Sequence, residues 1–309
     1  MAKRKESKKC KLLPYKRIDY LSIQEAKQNI GWAISAFNLP KAWEKTKGEN
    51  VTIAVLDTGC DLDHPDLAEN LLTGKNMIKP NLSPHDDNGH GTHVTGILVA
   101  NDNEIGMVGV CPKAKVIPIK VLDKNGNGDM SNVAAGINWA VEQGCDLIAM
   151  SLGAPFKVQQ VRKAIQNAEA AGVITFCAAG NAGNTQELYY PANYPETIAI
   201  GAIDKNFNRA NFSNTGQNLD FMAPGVDIFS TVPDNWYATL SGTSMACPFA
   251  VGVAALLLSY FKKNKKANIK NSEEFRVLLR KQTKKINGQD HSKFFGGFGI
   301  IDPISLLVD

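Results

Sequence analysis

Cysteine is scarce and scattered in this chain: of six, no two share the CxxC spacing of a zinc knuckle or a redox pair. Cys60, Cys111, Cys145, Cys177 and Cys247 stand in apolar or tightly turned segments and Cys10 in a polar one, a pattern expected of buried free thiols in a reducing compartment. Long apolar runs are missing as well. No stretch reaches the roughly 18 consecutive apolar residues of a membrane span. The basic start, with Lys3, Arg4, Lys5, Lys8, Lys9 and Lys11, leads into Leu12-Leu13-Pro14-Tyr15-Lys16-Arg17 and not into the apolar core of a secretory signal. The expectation is a chain with no membrane association that stays in the cytoplasm. Charge is not strongly one-sided, with a net +4 over 309 residues. The basic start therefore reads as a solvated tail, with no nucleic-acid partner. The turn after Asp57 holds only Gly59, so the G-x-G-x-x-G of a dinucleotide site is absent there too.

What the chain does hold is apolar material, 44% of its residues, enough for one large core. From residue 51 onward β-rich runs alternate with segments of helical period: 51–56, 90–100, 116–121, 131–143, 147–151, 158–171, 173–178 and 197–201. The strand segments are unbroken apolar runs, as expected of strands covered on both faces, so the alternation predicts an α/β domain with a parallel sheet. Residues 243–260 are apolar nearly all round and predict a central buried helix. In such sheets the ligand crevice opens beyond the carboxyl ends of the strands. Asp57 and Asn181 lie at such ends.

Three segments carry the chemistry: Val55-Leu56-Asp57-Thr58-Gly59, His90-Gly91-Thr92-His93-Val94 and Gly242-Thr243-Ser244-Met245-Ala246. A serine hydroxyl is a poor nucleophile at neutral pH, so a base must take its proton and a carboxylate must orient that base. Asp57 enters a Thr-Gly turn, where a carboxylate can be buried and still accept hydrogen bonds. His90 follows the polar turn Asp86-Asp87-Asn88-Gly89 and opens a helix at its exposed edge, so it is the expected base. His93, one turn further in, is expected to be a core histidine. Ser244 stands among small neighbours at a helix start, where a backbone N–H also faces developing negative charge. Asn181, among glycines, offers an amide to the same oxyanion.

These motifs resemble those of the subtilases, and Val55-Leu56-Asp57-Thr58-Gly59-Cys60-Asp61 is similar to the intracellular subtilisins of bacilli. The likeness runs from about Gln28 to Leu307 and implies a three-layer α/β/α sandwich with a mainly parallel central sheet. It assigns Asp57, His90 and Ser244 as triad and Asn181 as oxyanion donor, in a peptidase domain of residues 28–309 preceded by a basic tail and extension of residues 1–27. It further implies a peptide groove walled by Gly126, Asn127, Gly128, Ser151, Leu152, Gly153 and Ala154, which grips protein and peptide substrates by backbone pairing with broad specificity. Tyr189 stands near the base of the primary pocket, where smaller residues are usual in the family, and is expected to disfavour the largest aromatic side chains.

The same resemblance implies calcium, held by Gln28, Asp66 and Asn103 with the carbonyls of Asn101, Ile105 and Met107, in a loop rich in oxygen donors. A second, weaker cation site is implied at Ala192, Tyr194 and Thr197 with Asp220. Leu12-Leu13-Pro14-Tyr15 resembles the short extension that lies across the active site of intracellular subtilisin precursors, making the N-terminal segment an intramolecular inhibitor. Proline suits that task because it withholds a backbone donor and kinks the chain. The longer tail often seen in the intracellular branch is expected to have no counterpart here. The rival reading is a catalytically silent subtilase scaffold that binds peptides, which has no physical need for a nucleophile beside an oriented base.

Overall fold

The computed structural model describes residues 8–22, 28–183, 187–265, 269, 271–281, 283–287 and 293–303. Its strands are β1 (Lys9–Leu12), β2 (Lys16–Ser22), β3 (Thr52–Asp57), β4 (Lys75–Asn76), β5 (Lys115–Lys120), β6 (Asn127–Asp129), β7 (Leu147–Met150), β8 (Leu152–Gly153), β9 (Ile174–Ala178), β10 (Ile198–Ile203), β11 (Phe221–Pro224), β12 (Ile228–Val232), β13 (Trp236–Ser241), β14 (Thr283–Lys284) and β15 (Ile300–Ile301). The helices are α1 (Trp32–Ala36), α2 (Leu39–Trp43), α3 (His90–Val99), α4 (Met130–Glu142), α5 (Gln159–Ala170), α6 (Thr243–Asn264), α7 (Ser272–Arg280) and α8 (Lys293–Gly296).

The predicted apolar runs build the central sheet, in the order β14-β15-β11-β10-β9-β7-β3-β5-β4. Every pairing in it is parallel except β14 with β15 at one edge. Strands β7, β9 and β10 are buried along their whole length, because α3 and α6 pack together over one face and α4 and α5 over the other. This is the expected three-layer sandwich. The chain steps from β3 to β5 on one side and returns to β7 on the other, so the topological switch point lies at the carboxyl end of β3, where Asp57 sits.

Helix α6 runs one turn beyond its predicted end. Lys262 and Lys263 occupy its last turn and Lys265 closes it in a left-handed conformation at φ 51°, an arrangement that opposes the negative helix end. By length and mean hydropathy (1.8) α6 could cross a membrane, yet 83% of that stretch is buried inside this fold. It is the core helix of the domain.

Two small sheets flank the crevice. One has the order β6-β1-β8 and the other β12-β13-β2, so each contains a strand from residues 8–22. Cys10, the cysteine expected in a polar tail, is buried at 1% exposure, and burial pushes its thiol up to about 12. All six cysteines are free and buried.

Candidate active site

Asp57 is fully buried at the end of β3, and its Oδ1 lies 2.8 Å from His90 Nδ1 while accepting the Thr58 N–H at 2.7 Å. His90 starts α3, and the turn before it is clamped by Asp86. That carboxylate accepts from Thr58 Oγ1, from the Asn88 and Gly89 amides, and from both the amide and the hydroxyl of Thr92, all at 2.7–3.0 Å. Burial alone would raise the Asp86 pKa, but the bonds from Gly89, Thr92 and Asn88 outweigh it and hold the carboxyl below the usual aspartate range. Lys120, 6% exposed, donates from Nζ to the Thr58 carbonyl and, at 2.7 Å, to Asp87. It stands opposite Asp57 in the β3–β5 register and so ties the aspartate turn to the histidine turn. Gly91 is required where the two turns meet, since a Cβ there would lie 2.1 Å from the Gly59 carbonyl oxygen.

Ser244 is the second residue of α6, behind Gly242 as N-cap, and is fully buried. Pro248 withholds the N–H that would bond the Ser244 carbonyl, and the Ser151 hydroxyl takes that place at 2.9 Å. The Ser244 hydroxyl donates to the Ser151 carbonyl at 3.3 Å. His90 Nε2 has no hydrogen-bond partner among the described residues, so the aspartate–histidine half of the triad is assembled here and the serine–histidine bond is not made. His93 is the expected core histidine: its Nε2 lies 3.1 Å from the carbonyls of both Ile228 and Ala238.

Asn181 has its amide orientation fixed by a neighbour that the sequence reading passed over. Thr243 donates to Asn181 Oδ1 from its amide at 2.8 Å and from its hydroxyl at 2.7 Å. Nδ2 is thereby turned into the crevice, where it donates to the Pro14 carbonyl at 2.6 Å.

The groove strands are filled by the chain's own residues 9–12. In β1, Lys9, Cys10 and Lys11 pair with Asp129, Gly128 and Asn127, and Lys11 and Leu12 pair with Gly153 and Leu152. Leu12 lies against Gly126, its Cδ1 2.7 Å from where a Cβ would stand. Leu13 is 1% exposed. A Cβ on Gly153 would lie 3.2 Å from Tyr189 Cβ and 3.3 Å from Leu13 Cδ2, so Leu13 and Tyr189 meet over the same wall. The antiparallel strand Ala154–Tyr190 bridge holds that wall to the Tyr189 segment. The Tyr15 ring then lies 5.1 Å from the His90 ring. Beyond it, β2 pairs along β13, from Lys16 opposite Ser241 to Ser22 opposite Trp236.

The expected calcium residues converge at the far end of β13. Asp66 accepts from Asn103 Nδ2, Tyr237 OH and the Met107 amide at 2.8, 2.8 and 3.3 Å. Gln28 Oε1 accepts the Glu104 amide at 3.2 Å, and its Nε2 faces the Asn101 carbonyl at 3.5 Å. Burial raises the Asp66 pKa. Among the described residues this buried carboxylate is met by neutral amide and hydroxyl donors, with no lysine or arginine ion pair. The donor types here, one carboxylate, two side-chain amides and loop carbonyls, are those a hard cation takes, and their side-chain oxygens face protein N–H and O–H donors in this arrangement.

At the expected weaker site a guanidinium faces part of the oxygen set. Arg276 donates from Nε to Asp220 at 3.1 Å and from Nη2 to the carbonyls of Thr197 and, at 2.7 Å, Pro195, while the Thr197 hydroxyl bonds the Ala192 and Tyr194 carbonyls at 3.3 and 2.9 Å. The guanidinium thus meets Asp220 and the Thr197 carbonyl, two of the four expected groups, while the Ala192 and Tyr194 carbonyls meet the Thr197 hydroxyl.

A family model described as the subtilase family matches residues 48–299. The major intracellular serine protease of Bacillus subtilis is 43% identical over 258 residues, covering 80% of this chain and 81% of its own. An intracellular serine protease of Paenibacillus polymyxa is 40% identical over 283 residues, covering 89% and 86%. Subtilisin E of Bacillus subtilis is 41% identical over 260 residues, covering 82% and 68%. With aspartate, histidine and serine gathered at the switch point of the sheet, the chain belongs to the subtilase family and is a subtilisin-like serine endopeptidase.

Proposed function

We propose that this chain is a cytoplasmic, calcium-stabilised endopeptidase of broad specificity, made as a precursor that residues 1–27 inhibit in cis. In catalysis Ser244 Oγ attacks the substrate carbonyl and passes its proton to His90 Nε2. Asp57 holds Nδ1–H and stabilises the imidazolium that forms. The Asn181 amide and the Ser244 N–H face the oxygen as it becomes negative. Gly126–Gly128 and Ser151–Ala154 hold the substrate by its backbone, which makes affinity largely indifferent to side chains. Gln28, Asp66, Asn103 and the carbonyls of Asn101, Ile105 and Met107 would hold calcium, which when bound would supply positive charge to the buried Asp66 carboxylate and stiffen the loop. The intracellular relatives favour the cytoplasmic assignment.

The observation that carries the precursor reading is the 2.6 Å contact between Asn181 Nδ2 and the Pro14 carbonyl. The extension thus lies along the groove in the manner of a substrate, yet the serine hydroxyl is bonded to Ser151 and not to His90. Proline has no N–H with which to continue the ladder of β1 and fix that carbonyl for attack. Release is by slow autoprocessing between Tyr15 and Gln28.

The test is purified protein incubated with casein, with and without a chelator, while mass spectrometry follows the new amino terminus. Wild type should trim itself and then cleave casein, and Ser244→Ala should do neither. Trimming that continues in Ser244→Ala would end the self-processing reading.

A further inference from the structure

We infer that the outer edge of β13 is a docking strand for the substrate chain downstream of the scissile bond. It favours unfolded polypeptide that can lie extended for about eight residues past the cut. This rests on the precursor reading above and extends it to the other side of the reacting bond.

The chain's own segment shows how the edge is used. Counting from Pro14, whose carbonyl faces Asn181, β2 supplies the second to the eighth downstream residues, Lys16 to Ser22. Lys16 pairs with Ser241 and Arg17 with Leu240. After a register shift, Tyr20, Leu21 and Ser22 pair with Ala238, Tyr237 and Trp236. The other edge of β13 is fully engaged by β12, from Ile228–Leu240 to Val232–Trp236. Only the edge that β2 covers is left to another chain, and β13 runs directly into Gly242-Thr243-Ser244.

An open strand edge is a row of unmet donors and acceptors and takes up any extended chain of suitable length. In the precursor β2 meets that need. Once the cut has been made beyond Ser22 and the segment leaves, the substrate is the chain positioned to replace it. The pairing is read by backbone, so the edge selects for length and extended conformation and not for residue type. Folded loops, which cannot lie flat along seven residues of β-strand, are excluded. Trp236, 42% exposed at the far end of β13, offers an apolar surface to whatever residue arrives there.

The experiment uses the wild-type chain after it has activated itself with calcium, its amino terminus read by mass spectrometry. Internally quenched peptides share one upstream sequence and carry two, four, six or eight downstream residues. The expected result is a new terminus beyond Ser22 and a kcat/KM that rises about threefold with each added pair of residues. The rise should be carried by KM and cancelled by N-methylation of the downstream amides. A kcat/KM that is flat past the second downstream residue overturns the inference. So does an active enzyme that retains residues 16–22, because β13 would still be covered. Failure to cleave any of the peptides would instead count against the endopeptidase assignment itself.

Discussion

Replacing Leu13 with alanine measures what one side chain contributes to holding the extension in the cleft. In the closed chain Leu13 is 1% exposed, against the Gly153 wall that it shares with Tyr189. With the extension released, it stands in water. Burying a leucine side chain is worth about 2 kcal/mol, or roughly a thirtyfold shift in the ratio of closed to open chains at about 1.4 kcal/mol per tenfold. The measurement is best made in the Ser244→Ala background, where nothing is trimmed. A labelled peptide of residues 8–15 is titrated against the full chain, with and without Leu13→Ala. The added peptide competes with the tethered one, so its apparent affinity should strengthen by about the same thirtyfold. Lys11→Ala is the control, since Lys11 is exposed and belongs to the same strand. Equal effects from the two substitutions, or no change with Leu13→Ala, would refute the claim that this side chain anchors the extension.

The other expectations concern the clamp, the cation and the pocket. Asp86→Asn should cost about 3 kcal/mol of stability at neutral pH, since it removes the charge that five hydrogen bonds converge on. The folded-state pKa of Asp86 is depressed, so its contribution is complete above the unfolded value of about 4 and fades as pH falls through the folded one. Urea melts of the two proteins should therefore converge in acid and separate above it. Asp66→Asn should abolish the drop in Tm that a chelator causes in wild type, because the carboxylate that calls for a cation is gone; an unchanged drop would place calcium elsewhere. Tyr189→Gly should raise kcat/KM for p-nitroanilide peptides ending in Phe or Tyr relative to those ending in Leu. Wild type that already prefers Phe or Tyr strongly would contradict the pocket reading.

Much of the architecture was legible because strand and helix periods differ and the buried strands are continuous apolar runs. The 147–151 and 173–178 segments became β7 and β9 within a residue or two. Triad candidates could be chosen because Asp57 follows an apolar run and His90 follows a polar turn. The clamp around them was not legible. Lys120 and Asp57 are 63 positions apart and become neighbours only through the β3–β5 register. Asp86 looked like one more residue of a polar turn. Thr243 could have been suspected, as a hydroxyl just ahead of Ser244, but its role needs the coordinates of Asn181. The short strands of residues 8–22 were hidden for a different reason. Lysine-rich and nearly uncovered in sequence terms, they form only because the groove and β13 provide ready-made edges. Arg276 was hidden in an amphipathic helix, α7, where an arginine ordinarily points to water.

That arginine sets how the far end of the sheet responds to its surroundings. A metal ion stays only while its free concentration is high enough, and chelators or scarcity can strip it away. A guanidinium on a covalent stalk cannot be diluted, and it keeps its charge at any pH a cell tolerates. The junction between β10, β11 and α7 therefore keeps a tethered positive charge on Asp220, whatever the ionic composition of the medium around it.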